Sequence, residues 1–170
     1  MTAAASQRAA EMRAEFDRIF ADESRVETAL YCDVVIVEAG AQLCAIRLSE
    51  LSGIVAGKTI VPVPGASVAL RGVAGIRGAI LPVYDLAVLI GRPPAASPRW
   101  LAVAASASLA LSFDRFERQL RIEESCFLAS APQSAHRGGV VRSDAYSGPV
   151  LDLGAILKDI DQPSQERPFS

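Results

Sequence analysis

The chain has a single histidine and three cysteines among 170 residues, and that scarcity narrows the chemistry open to it. Cys32, Cys44 and Cys126 are odd in number and form no Cys-x-x-Cys pair, so neither a disulfide framework nor a zinc site is indicated. Reduced thiols of a cytoplasmic protein fit this usage. Basic residues are not in excess. With 17 Lys and Arg against 19 Asp and Glu, a net charge of −2, and no dense basic stripe, there is little counterion release to drive nucleic-acid binding. No nucleic acid is expected as a partner. No apolar run approaches ~18 residues, and the first residues show no basic start followed by an apolar stretch. Neither export nor membrane insertion is expected.

What is present is apolar. Hydrophobic residues make up 51% of the chain and charged ones 21%, the balance of a packed globular domain rather than a disordered one. Three regions are expected: an N-terminal amphipathic helix and linker over 1–30, one β-rich domain over 31–160, and a flexible tail over 161–170. In the first region Met12, Phe16, Ile19 and Phe20 fall at helical spacing among charged residues. Such a helix packs either on its own domain or on a partner chain, and the pattern leaves both open.

The most informative stretch runs from Arg71 to Gly91. Apolar residues flank the pair Arg77-Gly78, with glycines at 72, 75 and 78, which predicts two short strands turning at that pair and lifting a guanidinium to the tip of a hairpin. Asp85 then reads as a helix N-cap, with Leu86, Leu89 and Ile90 on one side of a short helix, Gly91 at its end and Pro93-Pro94 as the stop. A hairpin turning near Gly40 is expected from Tyr31–Val37 and Leu43–Leu48, placing Cys44 on a buried face. Leu51 and Ile54, three apart, suggest a bend or one helical turn. Thr59 to Val63, with Pro62 and Pro64 around its end, reads as an edge strand or extended connection. Trp100–Ala104 and Leu109–Phe113 predict a further hairpin that continues to Ile122, and residues 123–137 read as loop. Val140–Arg142 and Pro149–Leu151 form a last hairpin.

Pro82-Val83-Tyr84-Asp85-Leu86-Ala87-Val88-Leu89-Ile90 matches Pro149-Val150-Leu151-Asp152-Leu153-Gly154-Ala155-Ile156-Leu157 in register. Each copy is strand, Asp cap and helical turn, and each follows a hairpin, so two similar β-rich halves are expected.

These motifs together resemble the CheW-like coupling proteins of bacterial chemotaxis. The family's Gly-Val-x-Asn-Leu-Arg-Gly, Pro-Val and Asp-Leu correspond here to Gly72-Val73-Ala74-Gly75-Ile76-Arg77-Gly78, Pro82-Val83 and Asp85-Leu86. Two positions depart: Gly75 stands where the family has Asn, and Gly53 where it has an acidic residue before Ile54. Asp114-Arg115-Phe116 occupies the place of the family's Val-Asp-x-Val. The resemblance implies a mainly β fold of two intertwined five-stranded SH3-like β-barrel subdomains with short helices. It also implies a non-catalytic cytoplasmic adaptor between the cytoplasmic tip of a methyl-accepting chemoreceptor and the regulatory domain of a CheA-type histidine kinase. Leu51, Ile54, Gly75, Arg77 and Phe116 would then be the partner-binding positions.

The residues themselves offer little for catalysis. Asp85 and Asp152 serve as caps, each contributing ~1 kcal/mol, and the glycines at 72, 75 and 78 precede no Walker Lys-Ser/Thr. No cofactor is implied. Cys126 with His136 is the one nucleophile and base pairing available to a competing reading, a small cysteine-dependent enzyme. A ligand-binding β-barrel is another. On residues alone, Arg77 suits turn support and partner binding equally.

Overall fold

The computed structural model describes residues 30–65, 67–94, 98–129 and 136–161. Of the expected N-terminal helix and linker over 1–30 and the tail over 161–170, residues 1–29 and 162–170 lie outside them, and Asp161 belongs to a helix. Eleven strands and two helices follow in order: β1 (Tyr31–Ala39), β2 (Gln42–Arg47), β3 (Leu51–Ala56), β4 (Leu70–Ile76), β5 (Ala79–Asp85), α1 (Leu86–Leu89), β6 (Trp100–Ala104), β7 (Ala110–Phe113), β8 (Arg115–Glu123), β9 (Phe127–Leu128), β10 (Arg137–Arg142), β11 (Ser147–Leu151) and α2 (Leu153–Asp161). They form a five-stranded sheet, β3-β6-β7-β5-β4, and a six-stranded one, β8-β1-β2-β11-β10-β9. The sixth strand is the two-residue β9, inside a stretch whose sequence reads as loop.

The order of the sheets shows how the halves are interleaved. The hairpin β1–β2 leaves the first half to pair with β8 and β11, while β6–β7 leaves the second half to pair with β3 and β5. A 3-10 turn over Leu48–Glu50 carries the chain from the six-stranded sheet to the five-stranded one. Asp114 carries it back: its N–H donates to the Glu38 carbonyl at 2.9 Å, and its Oδ2 accepts from the Gly40 N–H at 2.7 Å. Gly40 and Ala41, with φ of 58° and 61°, form the two-residue turn that matches the twist of a hairpin.

The exchanged strands explain the near-continuous apolar runs Val34–Val37 and Leu101–Ala104. Each strand lies between two apolar layers, so neither face can be polar. Val35, Val37, Cys44, Ile46, Ala102, Leu111 and Phe113 join Leu86 and Ile156 of the helices in the core between the sheets. Val34, Ile36 and Ala45 instead face Ile122, Val141 and Val150, and Leu101, Val103 and Ala110 face Ala74, Ile76 and Val83. The expected burial of Cys44 holds, and burial pushes its thiol up to about 12.

Both Asp caps form. Asp85 Oδ1 accepts from the N–H of Ala87 at 2.9 Å and Val88 at 3.4 Å, while Oδ2 accepts from Arg71 Nε at 2.9 Å. The Arg71 pairing makes a carboxylate only 1% exposed tolerable. Asp152 is exposed and accepts from the Ala155 N–H at 2.9 Å. The neighbouring Leu153 N–H goes to Glu50 Oε1, at 3.1 Å across 103 positions of sequence. The other oxygen of Glu50 is buried without a hydrogen-bond partner, and burial, with Asp152 nearby, raises its pKa above the ordinary value.

Candidate partner-binding surface

The tip of the β4–β5 hairpin is built as the sequence predicts. Arg77 and Gly78 both have positive φ, 50° and 82°, giving a two-residue turn between Ile76 and Ala79 that matches the strands' twist. For glycine that conformation is free. For arginine it costs of order 1 kcal/mol or more, strain of a kind that concentrates at functional positions. Arg77 is exposed, and its guanidinium folds back across the seam between the two outer strands of the five-stranded sheet. There Nη1 donates to the Ser52 carbonyl on β3 at 3.2 Å.

Gly53 makes that placement possible. A Cβ at 53 would stand 2.6 Å from Arg77 Nη2 and 3.3 Å from Cζ, so the planar group occupies space that any other residue would fill. Gly53 and Arg77 are thus one unit, although 24 positions separate them in sequence.

The three glycines of this hairpin do different work. Gly72, at φ 145°, lets the Val61 carbonyl approach to where a Cβ would be 2.1 Å away, and the β4–β5 register shifts beside it. Gly78 serves the turn. Gly75 has no such constraint: a Cβ there would meet nothing within 4 Å. Its cross-strand neighbour is Ile80, 78% exposed, and an absent side chain at 75 leaves that isoleucine uncovered.

The remaining predicted positions fall elsewhere. Leu51 and Ile54 lie on a strand, not in a bend or helical turn. The pairing of β3 with β6 shifts register between Leu51 and Gly53, so the extra residue puts positions three apart on one side and imitates helical spacing. Leu51 is buried in the core between the sheets, with half-buried Ile54 packed against that core. Phe116 lies on β8, tilted against Trp100 at 5.6 Å between ring centroids. Of the predicted set, Arg77 and Gly75 share the hairpin and Ile54 lies beside Gly53, while Leu51 and Phe116 support the packing. Gly53 and Ile80 join them unpredicted. Only the contact across the seam reveals Gly53's part, whereas Ile80 stands in plain sight as an apolar residue three past Arg77.

The competing catalytic pair does not assemble. His136 Nε2 faces Asp159 Oδ2 at 3.3 Å, whereas Cys126 packs beside the cluster of Ile122 and Val141. A cleft of about 430 Å³ is lined by Tyr31, Cys32, Asp33, Leu48, Ser49 and Glu124. At its margin Arg47 Nη1 donates to Glu124 at 3.1 Å and to Cys32 Sγ at 3.4 Å, and its guanidinium lies over Phe127. That cation is already spoken for. Among the described residues no group of three His, Cys, Asp or Glu could hold a metal ion, and no helix is long and apolar enough to cross a membrane.

Comparison with known proteins agrees with the architecture. A family model described as the CheW-like domain matches residues 33–161. Among solved structures, the scaffolding protein TtCheW from Thermoanaerobacter tengcongensis superposes with a TM-score of 0.66 at 17% identity, over 72% of this chain and 90% of that one. The likeness is one of fold. No curated protein matches the chain.

Proposed function

Because the chain belongs to the CheW-like domain family, we propose that it couples chemoreceptors to a CheA-type histidine kinase, gripping the receptor's cytoplasmic tip with one surface and the kinase's regulatory domain with another. The family is one of non-catalytic scaffolding adaptors, so the chain acts by holding proteins together, not by turning over a substrate. Its place of action in this reading is the cytoplasm.

The observation that carries the proposal is Arg77: a guanidinium held in a strained left-handed turn, exposed, with an uncovered isoleucine three positions on. An arginine with planar donors beside aliphatic side chains is the composition of an interface hot spot. Gly53, Ile54, Gly75, Arg77 and Ile80 form the contact in this reading, with Leu51 and Phe116 holding its strands in place. A signalling adaptor must release as well as bind, so micromolar affinity, about 8 kcal/mol, is expected.

The test is direct titration of the purified full chain with the receptor tip hairpin and the kinase regulatory domain from the same organism. Micromolar binding to each, with a ternary complex when both are present, is the expected result. Binding to neither overturns the proposal.

A further inference from the structure

Two of the three cysteines lie around one apolar cluster of the six-stranded sheet, although 94 positions separate them. On β1, Cys32 shares a face with Val34 and Ile36, packs on their cluster with Val141 and Val150, and stands opposite Ile122 across the β1–β8 ladder. Past Glu123 the chain leaves β8 in a 3-10 turn over Glu124–Cys126, and Cys126 packs on the same cluster. Arg47 ties the two places together. Its Nη1 donates to Cys32 Sγ at 3.4 Å and to Glu124 Oε1 at 3.1 Å, and the guanidinium lies 4.5 Å from the ring centroid of Phe127, the residue after Cys126. One planar group therefore touches the first thiol and both flanks of the turn that carries the second. Cys32 and Cys126 are both half-buried, and Cys32 lines the cleft of about 430 Å³. Cys44 is sealed in the separate core between the sheets.

From this we infer that Cys32 and Cys126 form a reversible disulfide, with Cys32 meeting a small-molecule disulfide in the cleft and Cys126 resolving the product. In the first step the Cys32 thiolate attacks one sulfur of the oxidant, the oxidant's S–S bond breaks, and one small thiolate leaves and takes up the proton that Cys32 gave up. In the second the Cys126 thiolate attacks the Cys32 sulfur, the mixed disulfide breaks, and the other small thiolate leaves and takes up the Cys126 proton. Protein dithiol and oxidant become protein disulfide and two small thiols, with two electrons passing from the cysteines to the oxidant. Access sets the order, because the cleft is lined by Cys32 and not by Cys126. The bond ties β1 to the turn that follows β8. In a reducing compartment such a bond is transient and reports redox state.

The test treats the native full chain with oxidised glutathione, alkylates the remaining thiols after unfolding, and maps the products by mass spectrometry. Cleavage at Glu38 separates Cys32 from Cys44. The expected main product is a peptide pair joined through Cys32 and Cys126, in a monomeric chain whose Cys44 is alkylated, and dithiothreitol should restore all three thiols. Cys126→Ser should stop at a mixed disulfide on Cys32. Cys32→Ser should slow oxidation of Cys126 ten-fold or more, since the entry point is gone. Oxidised wild type should unfold at a higher denaturant midpoint than the reduced chain, and Cys126→Ser should show no such shift.

Absence of the linked pair, a mixed disulfide that persists on the wild type, a bond that includes Cys44, or a bond between two chains overturns the inference. The adaptor reading is independent of all these outcomes, because it rests on the family and on Arg77.

Discussion

The two halves of the molecule are copies that have been finished differently. Strand for strand, β1–β5 and α1 correspond to β6, β7, β8, β10, β11 and α2, and the sheet order β4-β5-β7-β6-β3 is repeated as β10-β11-β2-β1-β8. Even the bulged glycine recurs. Gly72 admits the Val61 carbonyl before the Val61–Val73 bridge, and Gly139, at φ 134°, admits the Leu128 carbonyl before the Leu128–Val140 pair. The sixth strand of one sheet is therefore only a slightly longer version of a single bridge in the other.

The seams differ in polarity. In the five-stranded sheet the hairpin tip carries the donor, Arg77, and reaches the β3 carbonyl of Ser52. In the six-stranded sheet the donor sits on β8, the counterpart of β3, and Arg118 reaches the Ala145 carbonyl in the tip at 3.1 Å. The second tip is closed by Tyr146, buried, whose hydroxyl donates to a backbone carbonyl of Leu43 or Pro149. One tip offers a charged group to the outside and the other is packed shut. Architecture is shared, while the capacity to bind is local.

The caps are the sharpest place to break this comparison. Asp85→Ala should cost about 4 kcal/mol, because it removes the buried carboxylate that pairs with Arg71 and uncaps α1 together, whereas Asp152→Ala should cost about 1 kcal/mol, the loss of an exposed cap. Denaturant unfolding measures both, and equal losses would mean that the halves are not specialised as described.

The glycines come next. Gly72→Ala and Gly139→Ala should each destabilise by about 3 kcal/mol, since a methyl group would meet a backbone carbonyl in a conformation alanine avoids. Gly75→Ala, which meets open space, should be neutral or stabilising by under about 1 kcal/mol. Arg77→Ala should weaken partner binding by about 2 kcal/mol with little effect on unfolding, and Arg118→Ala should leave binding unchanged. Loss of binding in both would show that any seam arginine suffices.

The smallest effect is on pH dependence. Glu50 has its folded pKa raised above the ordinary value of 4.5, chiefly by burial, so the native state holds its proton more tightly than the unfolded chain. Its contribution is therefore fully present below that ordinary value and is lost as pH rises through the elevated one. Glu50→Gln should remove this loss, leaving the variant's stability flatter than wild type across the mildly acid range.

Legibility in the sequence followed the range of the interaction. The Arg77-Gly78 turn and both Asp caps are written in neighbouring residues, so composition and spacing reveal them. The exchange of β1–β2 and β6–β7 between sheets is not, because Val34–Val37 reads as a buried strand whichever sheet receives it. Leu51 and Ile54 misled for a specific reason: one bulge residue turns a period of two into a spacing of three. Arg71 with Asp85, and Glu50 capping a helix 103 positions away, depend on the finished fold. So does Gly53, whose isolated glycine says nothing until Arg77 is seen lying across it.

The reciprocal loan of hairpins has a consequence for how such a chain can be divided. Cleavage in the connector between α1 and β6 would yield two fragments, each with three principal strands of one sheet and a hairpin that belongs to the other's. Neither fragment could complete a sheet by itself. Mixing them should restore the whole by complementation, much as two half-length polypeptides of a duplicated ancestor could have folded only in each other's company.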